Sequence, residues 1–181
     1  SETLVEIGAG LGSDVPFFLH GGTALGIGRG TEIFPIENIR ENFMLIVTPA
    51  VAVPTGAAFA RLNAPRLTNL DRKSNLKLCR DELEKAVSRH FGSANDFEKV
   101  IFEIEPEIER VKNKLLASGA ARALMSGSGA SVFAVFENEE TRQATLKALE
   151  EEITWRKFAV ATISRENWRE TVLKKPTVVS D

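Results

Sequence analysis

Leu124-Met125-Ser126-Gly127-Ser128-Gly129-Ala130-Ser131-Val132-Phe133 sets a short, hydroxyl-rich turn between two apolar runs that read as strands. A Gly-Ser-Gly turn gathers several backbone N–H groups with no side-chain bulk in front of them. Such a concave row of donors suits a phosphate or another anion. The same residues also satisfy an ordinary tight turn, and turn chemistry alone fits either reading. Weight comes from a second glycine-rich segment, residues 8–30, which carries one isolated aspartate, Asp14.

Working outward from the turn, strands are predicted over 121–125 and 130–136. Upstream, Asn95 or Asp96 starts a helix with Phe97, Val100, Ile101 and Ile104 inward. Pro106 interrupts it, because proline removes an intrahelical bond, and a new helix runs from 107 to Ser118, closed by Gly119. Downstream, Glu139–Ile153 reads as an amphipathic helix with Ala144, Leu146 and Leu149 inward, and Phe158–Ser164 as a last strand. The apolar run Phe43–Val47 is a buried strand, and a helix near Thr55–Leu62 follows with Thr55 as its cap. A polar loop at 63–74 and a helix over Leu76–His90 complete the middle. The order from residue 43 is strand, helices, strand, strand, helix, strand. That is an α+β chain, a split βαβ (ferredoxin-like) two-layer sandwich with helices on one face of an antiparallel sheet.

The first 42 residues read differently. Thr3–Leu11 has Leu4, Ile7 and Leu11 at helical spacing, as at the end of a helix already under way. Ser13 or Asp14 caps a short helical turn through Pro16, Phe17, Phe18 and Leu19, ended by Gly21-Gly22. Residues 23–35 then read as a hairpin turning at Arg29-Gly30. Residues 43–168 make the α+β part, and 169–181 a loosely ordered tail.

Composition narrows the function classes. With 43% hydrophobic and 27% charged residues among 181, the chain is that of a globular protein. A net charge of −2 without a basic cluster weighs against nucleic acid, and no apolar run is long enough for a bilayer. Cys79, the only cysteine, allows no internal disulfide and fits a reducing, cytoplasmic setting; its leucine neighbours mark it as core. His20 and His90 lie far apart, outside any zinc spacing, and no metal site is predicted.

Gly12-Ser13-Asp14-Val15-Pro16-Phe17-Phe18 holds its carboxylate at a glycine-flanked corner before an apolar helix. There an aspartate serves as a helix cap, or it accepts or orients a hydroxyl proton in phosphoryl transfer. The run Leu11–Phe18 followed by Gly21-Gly-Thr-Ala-Leu-Gly-Ile-Gly-Arg-Gly resembles the GHMP kinase superfamily, and within it the kinases of a cytidyl-diphospho-methylerythritol. Pro49-Ala-Val-Ala-Val-Pro-Thr-Gly-Ala-Ala-Phe, Asn95-Asp96-Phe97-Glu98 and Met125–Phe133 resemble further motifs of that family, in the right order and across nearly the whole chain.

The resemblance implies an ATP-dependent kinase acting on a small-molecule alcohol. The group phosphorylated is the 2-hydroxyl of cytidyl-diphospho-methylerythritol, in the non-mevalonate route to isoprenoid precursors. ATP and Mg2+ are implied with it, as is a cytoplasmic location, or the plastid stroma in a plant. Asp14 matches the catalytic aspartate. Thr55 and Phe59 match residues near the cytosine, where a phenyl ring stacks on a base for roughly 1–3 kcal/mol; by spacing alone, Phe59 is helix core. Ser126, Gly127, Ser128, Gly129 and Ala130 match the loop that supports the phosphate, Ser126 standing where relatives often carry threonine. Residues 1–42 then correspond to the tail of an N-terminal kinase domain, and 43–168 to the C-terminal domain. Neither the glycine- and serine-rich ATP loop nor the lysine that pairs with the aspartate has a match in these 181 residues. On that basis the chain by itself is expected to be inactive or nearly so. Two other readings stay open: another GHMP kinase of the homoserine or mevalonate type, and a non-catalytic ferredoxin-like module that binds a ligand.

Overall fold

The structure, a computed structural model, describes residues 2–62 and 95–173. The polar loop expected at 63–74, the helix expected over Leu76–His90 and Cys79 within it lie outside the described residues. Contacts divide the chain into two units. The first holds residues 2–40 and 162–173 of those described, the second residues 41–62 and 95–161.

Unit one begins with α1 (Glu2–Leu11) and α2 (Val15–His20), followed by β1 (Ala24–Ile27) and β2 (Glu32–Pro35). Pro16 suits the first turn of α2, where its missing N–H would be unpaired anyway. The chain leaves α2 at Gly21, whose φ of 67° lies in the left-handed region and whose N–H donates to the Phe17 carbonyl at 3.0 Å. β1 and β2 pair antiparallel from Ala24↔Pro35 to Ile27↔Glu32, the hairpin that the glycine pattern predicted. The helical spacing of Leu4, Ile7 and Leu11 is real, yet all three stand more than half exposed.

Unit two is built on β3 (Met44–Thr48), α3 (Thr55–Leu62), α4 (Phe97–Ile104), α5 (Pro106–Ala117), β4 (Arg122–Met125), β5 (Val132–Val135), α6 (Glu139–Ala148) and β6 (Arg156–Val160). Its sheet is antiparallel throughout, in the order β4-β5-β3-β6. The crossover from β3 to β4 leaves room for β5, and the crossover from β5 to β6 straddles β3. This is the split βαβ arrangement, and it is antiparallel because every neighbour in the sheet runs the opposite way. Strand alternation sends Leu45, Val47, Met125, Val132 and Ala134 to one face, where they meet Ile101, Ile108, Val111 and Leu115 of α4 and α5. Each fully buried Leu or Ile side chain there contributes about 1.5–3 kcal/mol of apolar burial.

Two expectations are corrected in unit two. Helix α6 stops at Ala148 rather than Ile153, and its buried residue is Thr145, not Ala144, which is exposed. The reason is a polar contact: Thr145 Oγ1 donates to the Ser118 carbonyl at 2.7 Å, satisfying the end of α5, while Leu149 fills the core from the turn after α6. Asn138 caps α6 by accepting from the Thr141 N–H at 2.8 Å. Strand β6 starts two residues before the predicted Phe158 because Thr48 and Val47 of β3 pair with Arg156 and Lys157.

The chain then returns to unit one as α7 (Arg165–Leu173). Regular helix therefore passes Trp168, beyond the point where loose order was expected to begin. Among the described residues, no helix is long and apolar enough to cross a membrane.

Candidate functional site

In unit two the glycine-serine turn projects from the end of the β4–β5 hairpin. The Ser126 N–H donates to the Ser131 carbonyl at 2.8 Å and the Gly129 N–H to the Ser126 carbonyl at 3.0 Å, which closes the loop on itself. Among the described residues nothing accepts from the N–H groups of Gly127 and Ser128, and Ser126 and Gly127 are exposed. Gly129, at φ 91°, leaves no room for a side chain, since a Cβ there would meet Met125 Sδ at 3.0 Å and Val53 Cγ2 at 3.3 Å.

The loop is gripped from the start of α4. Asn95 Nδ2 donates to the Met125 carbonyl at 2.9 Å and to the Gly127 carbonyl at 2.7 Å, while its Oδ1 accepts from the Phe97 N–H at 3.0 Å. Of the two residues proposed to start α4, Asn95 thus makes the capping bond, and Asp96 makes none with its side chain. Glu98, 9% exposed, accepts from the Met125 N–H at 2.8 Å through Oε1 and from Lys112 Nζ at 2.6 Å through Oε2. One buried carboxylate therefore fixes the last strand residue before the loop and is itself neutralised from α5.

Hydroxyls crowd the other side. Thr48 Oγ1 and Ser131 Oγ lie 2.8 Å apart, and Thr55 Oγ1 at the start of α3 is 3.4 Å from Ser128 Oγ. The structure thus brings Thr55 together with Ser126–Ala130. Phe59 lies in α3, but its side chain falls outside the description. A cleft of about 500 Å³ beside the loop is bordered by Asn95, Asp96, Phe97, Met125, Gly127 and Phe133.

Unit one holds Asp14. It occupies the N-cap position of α2 with φ −87° and ψ −15°, yet its carboxylate makes no capping hydrogen bond. The side chain is exposed and borders a hollow of about 320 Å³ with Phe17, Phe18, Gly26, Gly30 and Ile33. Phe17 and Phe18 meet edge to face with ring centroids 5.3 Å apart. Among the described residues, no three His, Cys, Asp or Glu side chains are grouped so as to hold a metal ion.

Away from the loop, unit two carries a charged cluster. Arg110 bonds both Glu107 and Glu152 at 2.7–2.8 Å and lies 4.4 Å over the Trp155 ring, while Lys114 reaches Glu152 at 2.8 Å. Arg110 and then Lys114 hold the Glu152 carboxyl down to about 2, and Arg110 also lowers that of Glu107.

Sequence reasoning missed Glu98 and Lys112 as supports of the loop. Glu98 stood inside the quoted Asn95–Glu98 motif, but its partners are 14 and 27 residues away. It missed Arg165 and Trp168 as well, whose contacts span still longer separations.

The geometry defines an exposed amide loop on a split βαβ sandwich, and comparison with known proteins agrees. Residues 73–153 match the family model described as "GHMP kinases C terminal". Over that span the chain is similar to the C-terminal part of GHMP kinases. Its curated relatives include a 4-diphosphocytidyl-2-C-methyl-D-erythritol kinase of Solibacter usitatus (strain Ellin6076), 35% identical over 170 residues, which cover 92% of this chain and 52% of the relative. A second, of Nitratidesulfovibrio vulgaris (strain DP4) and the same name, is 38% identical over 149 residues, 82% of this chain and 52% of the relative. A solved crystal structure of 4-(cytidine 5'-diphospho)-2C-methyl-D-erythritol kinase superposes with a TM-score of 0.65 at 26% identity, over 87% of this chain and 56% of that one. The chain spans about half the length of the curated relatives it matches.

Proposed function

We propose that this chain serves ATP-dependent phosphorylation of the 2-hydroxyl of 4-diphosphocytidyl-2-C-methyl-D-erythritol, a step toward isoprenoid precursors by the non-mevalonate route, in the cytoplasm. The observation that supports it most is the loop Ser126–Ala130, where the Gly127 and Ser128 amides have no acceptor among the described residues and neighbouring hydroxyls suit phosphate oxygens, in a chain 35% identical to a kinase of that name. In the reaction the substrate hydroxyl oxygen attacks the γ-phosphorus of ATP, the bond to the ADP oxygen breaks, and the hydroxyl proton passes to a carboxylate. Asp14 is our candidate for that carboxylate: it is exposed, borders a hollow and is not engaged as a cap. Thr55 and Phe59 are our candidates on the cytosine side. Mg2+, which the family implies, finds no cluster of three His, Cys, Asp or Glu side chains among the described residues.

The 181 residues contain no match to the family's ATP loop, so we infer that by themselves they turn over little or nothing. The test joins this chain to the part of the Solibacter usitatus relative that it does not cover. ATP-dependent phosphate transfer to the cytidyl-diphospho substrate is expected in the chimera and not in the 181 residues alone. Asp14→Asn should lower kcat by roughly a hundredfold or more, as loss of a positioned proton acceptor does. A chimera that folds and binds ATP but never phosphorylates that substrate would overturn the proposal.

A further inference from the structure

Helix α2 is six residues long, too short to hold its own direction in water, and Asp14 at its start has no capping bond to steady it. α2 rests on α1, with Val15 and Leu19 against Gly8 and Pro16 buried, and its other end is held from 150 residues away. Trp168 Nε1 of α7 donates to the Phe18 carbonyl at 2.7 Å. Its indole occupies the space where a side chain on Gly21 would stand, so ring and backbone are in direct register. One turn earlier on α7, the Arg165 guanidinium donates to three carbonyls: Gly21 at 3.2 Å, Thr23 at 2.6 Å and Ile36 at 3.1 Å. Gly21 ends α2, Thr23 precedes β1 and Ile36 follows β2. Asn38 adds a link, bonding the Thr23 N–H and the Glu166 carboxylate at 3.4 Å each.

We infer that Arg165 and Trp168 are positioning residues for Asp14: α7 clamps the exit of α2 to both strands of the hairpin, and so sets the direction of the carboxylate and the width of its hollow together. The inference rests on the reading of Asp14 as the proton acceptor. Two features make the clamp specific. A guanidinium presents several donors in a fixed planar fork and stays charged, so it can bridge three carbonyls that a lysine ammonium cannot span in one geometry. The hollow's walls, Gly26 of β1 and Ile33 of β2, belong to the strands that Arg165 ties together. A displacement of about 1 Å at a reacting group can cost on the order of a hundredfold in rate.

The experiment uses Arg165→Gln, Arg165→Lys and Trp168→Phe, with Arg169→Gln on the same helix, outside the clamp, as control. Hydrogen exchange of the amides from Phe17 to Thr23 is read in the 181-residue chain, and kcat and KM in the chimera described above. Arg165→Gln is expected to speed exchange in that segment and lower kcat roughly ten- to hundredfold with KM nearly unchanged. Arg165→Lys should recover part of kcat, Trp168→Phe should show a milder form of the same split, and Arg169→Gln should match the unsubstituted protein. Unchanged exchange in Arg165→Gln and Trp168→Phe overturns the clamp. Faster exchange with unchanged kcat overturns its role in positioning, as does a KM effect equal to the kcat effect. If Asp14→Asn keeps full turnover, the reading of Asp14 fails instead, and exchange still reports on the clamp.

Discussion

Glu98 illustrates how a single buried carboxylate can set the geometry of a loop it does not belong to. It pairs with Lys112 and takes the Met125 N–H, so the strand enters the turn at a fixed height. Replacing it with alanine leaves the Met125 amide and the half-buried ammonium of Lys112 without their acceptor. Glu98→Ala is therefore expected to cost about 1–3 kcal/mol of stability, read from the urea midpoint. Faster exchange of the Met125 and Gly129 amides, both hydrogen-bonded in the intact protein, should accompany it. None of this was legible at residue 98 in the sequence, where Glu98 reads as one more charge on a helix. The hydroxyls and glycines of the turn itself were legible, because turns are encoded by the residues that make them, whereas the groups that brace a turn arrive from other elements.

Between elements, the cluster around Glu152 ties α5 to the turn that leads into β6. Arg110 lies over Trp155 and bonds the carboxylates of Glu107 and Glu152, and Trp155 Nε1 donates to Glu107 at 2.7 Å. The folded protein holds Glu152 at about 2 against an ordinary value of 4.5. With the folded value depressed, the charged form favours the fold fully above pH 4.5, and that contribution is lost as pH falls toward 2. A carboxyl-carbon titration by NMR should show Glu152 near 2, and Arg110→Gln should move it back up toward the usual range. The strands were the most legible elements, since the apolar runs at Phe43–Val47 and on either side of the glycine-serine turn need only local sequence. The end of α6 was not legible, because Leu149 is equally apolar on a helix and in the turn that follows it. Nor was α7, whose register is set by contacts with α2 and the hairpin rather than by a face of its own.

For the molecule as a whole, the sequence order of strands and helices predicted the split βαβ sandwich, and the sheet order β4-β5-β3-β6 follows it. Contacts divide the chain at 40/41 and return residues 162–173 to the first unit. That return could not be seen from composition, which changes little there. The core of unit two gathers side chains from β3, β4, β5, α4 and α5, so one deletion there should be felt as loss of the unit. Leu45→Ala, at a position with no solvent exposure, is expected to lower unfolding free energy by about 2–5 kcal/mol in chemical denaturation.

The chain has two tryptophans, and each unit received one: Trp155, sealed beneath a guanidinium, and Trp168, resting against a glycine. Two indoles in such different surroundings emit differently, and replacing either with phenylalanine leaves a single fluorophore. The protein thus carries its own pair of optical reporters, so the melting of each half can be followed separately without an attached dye.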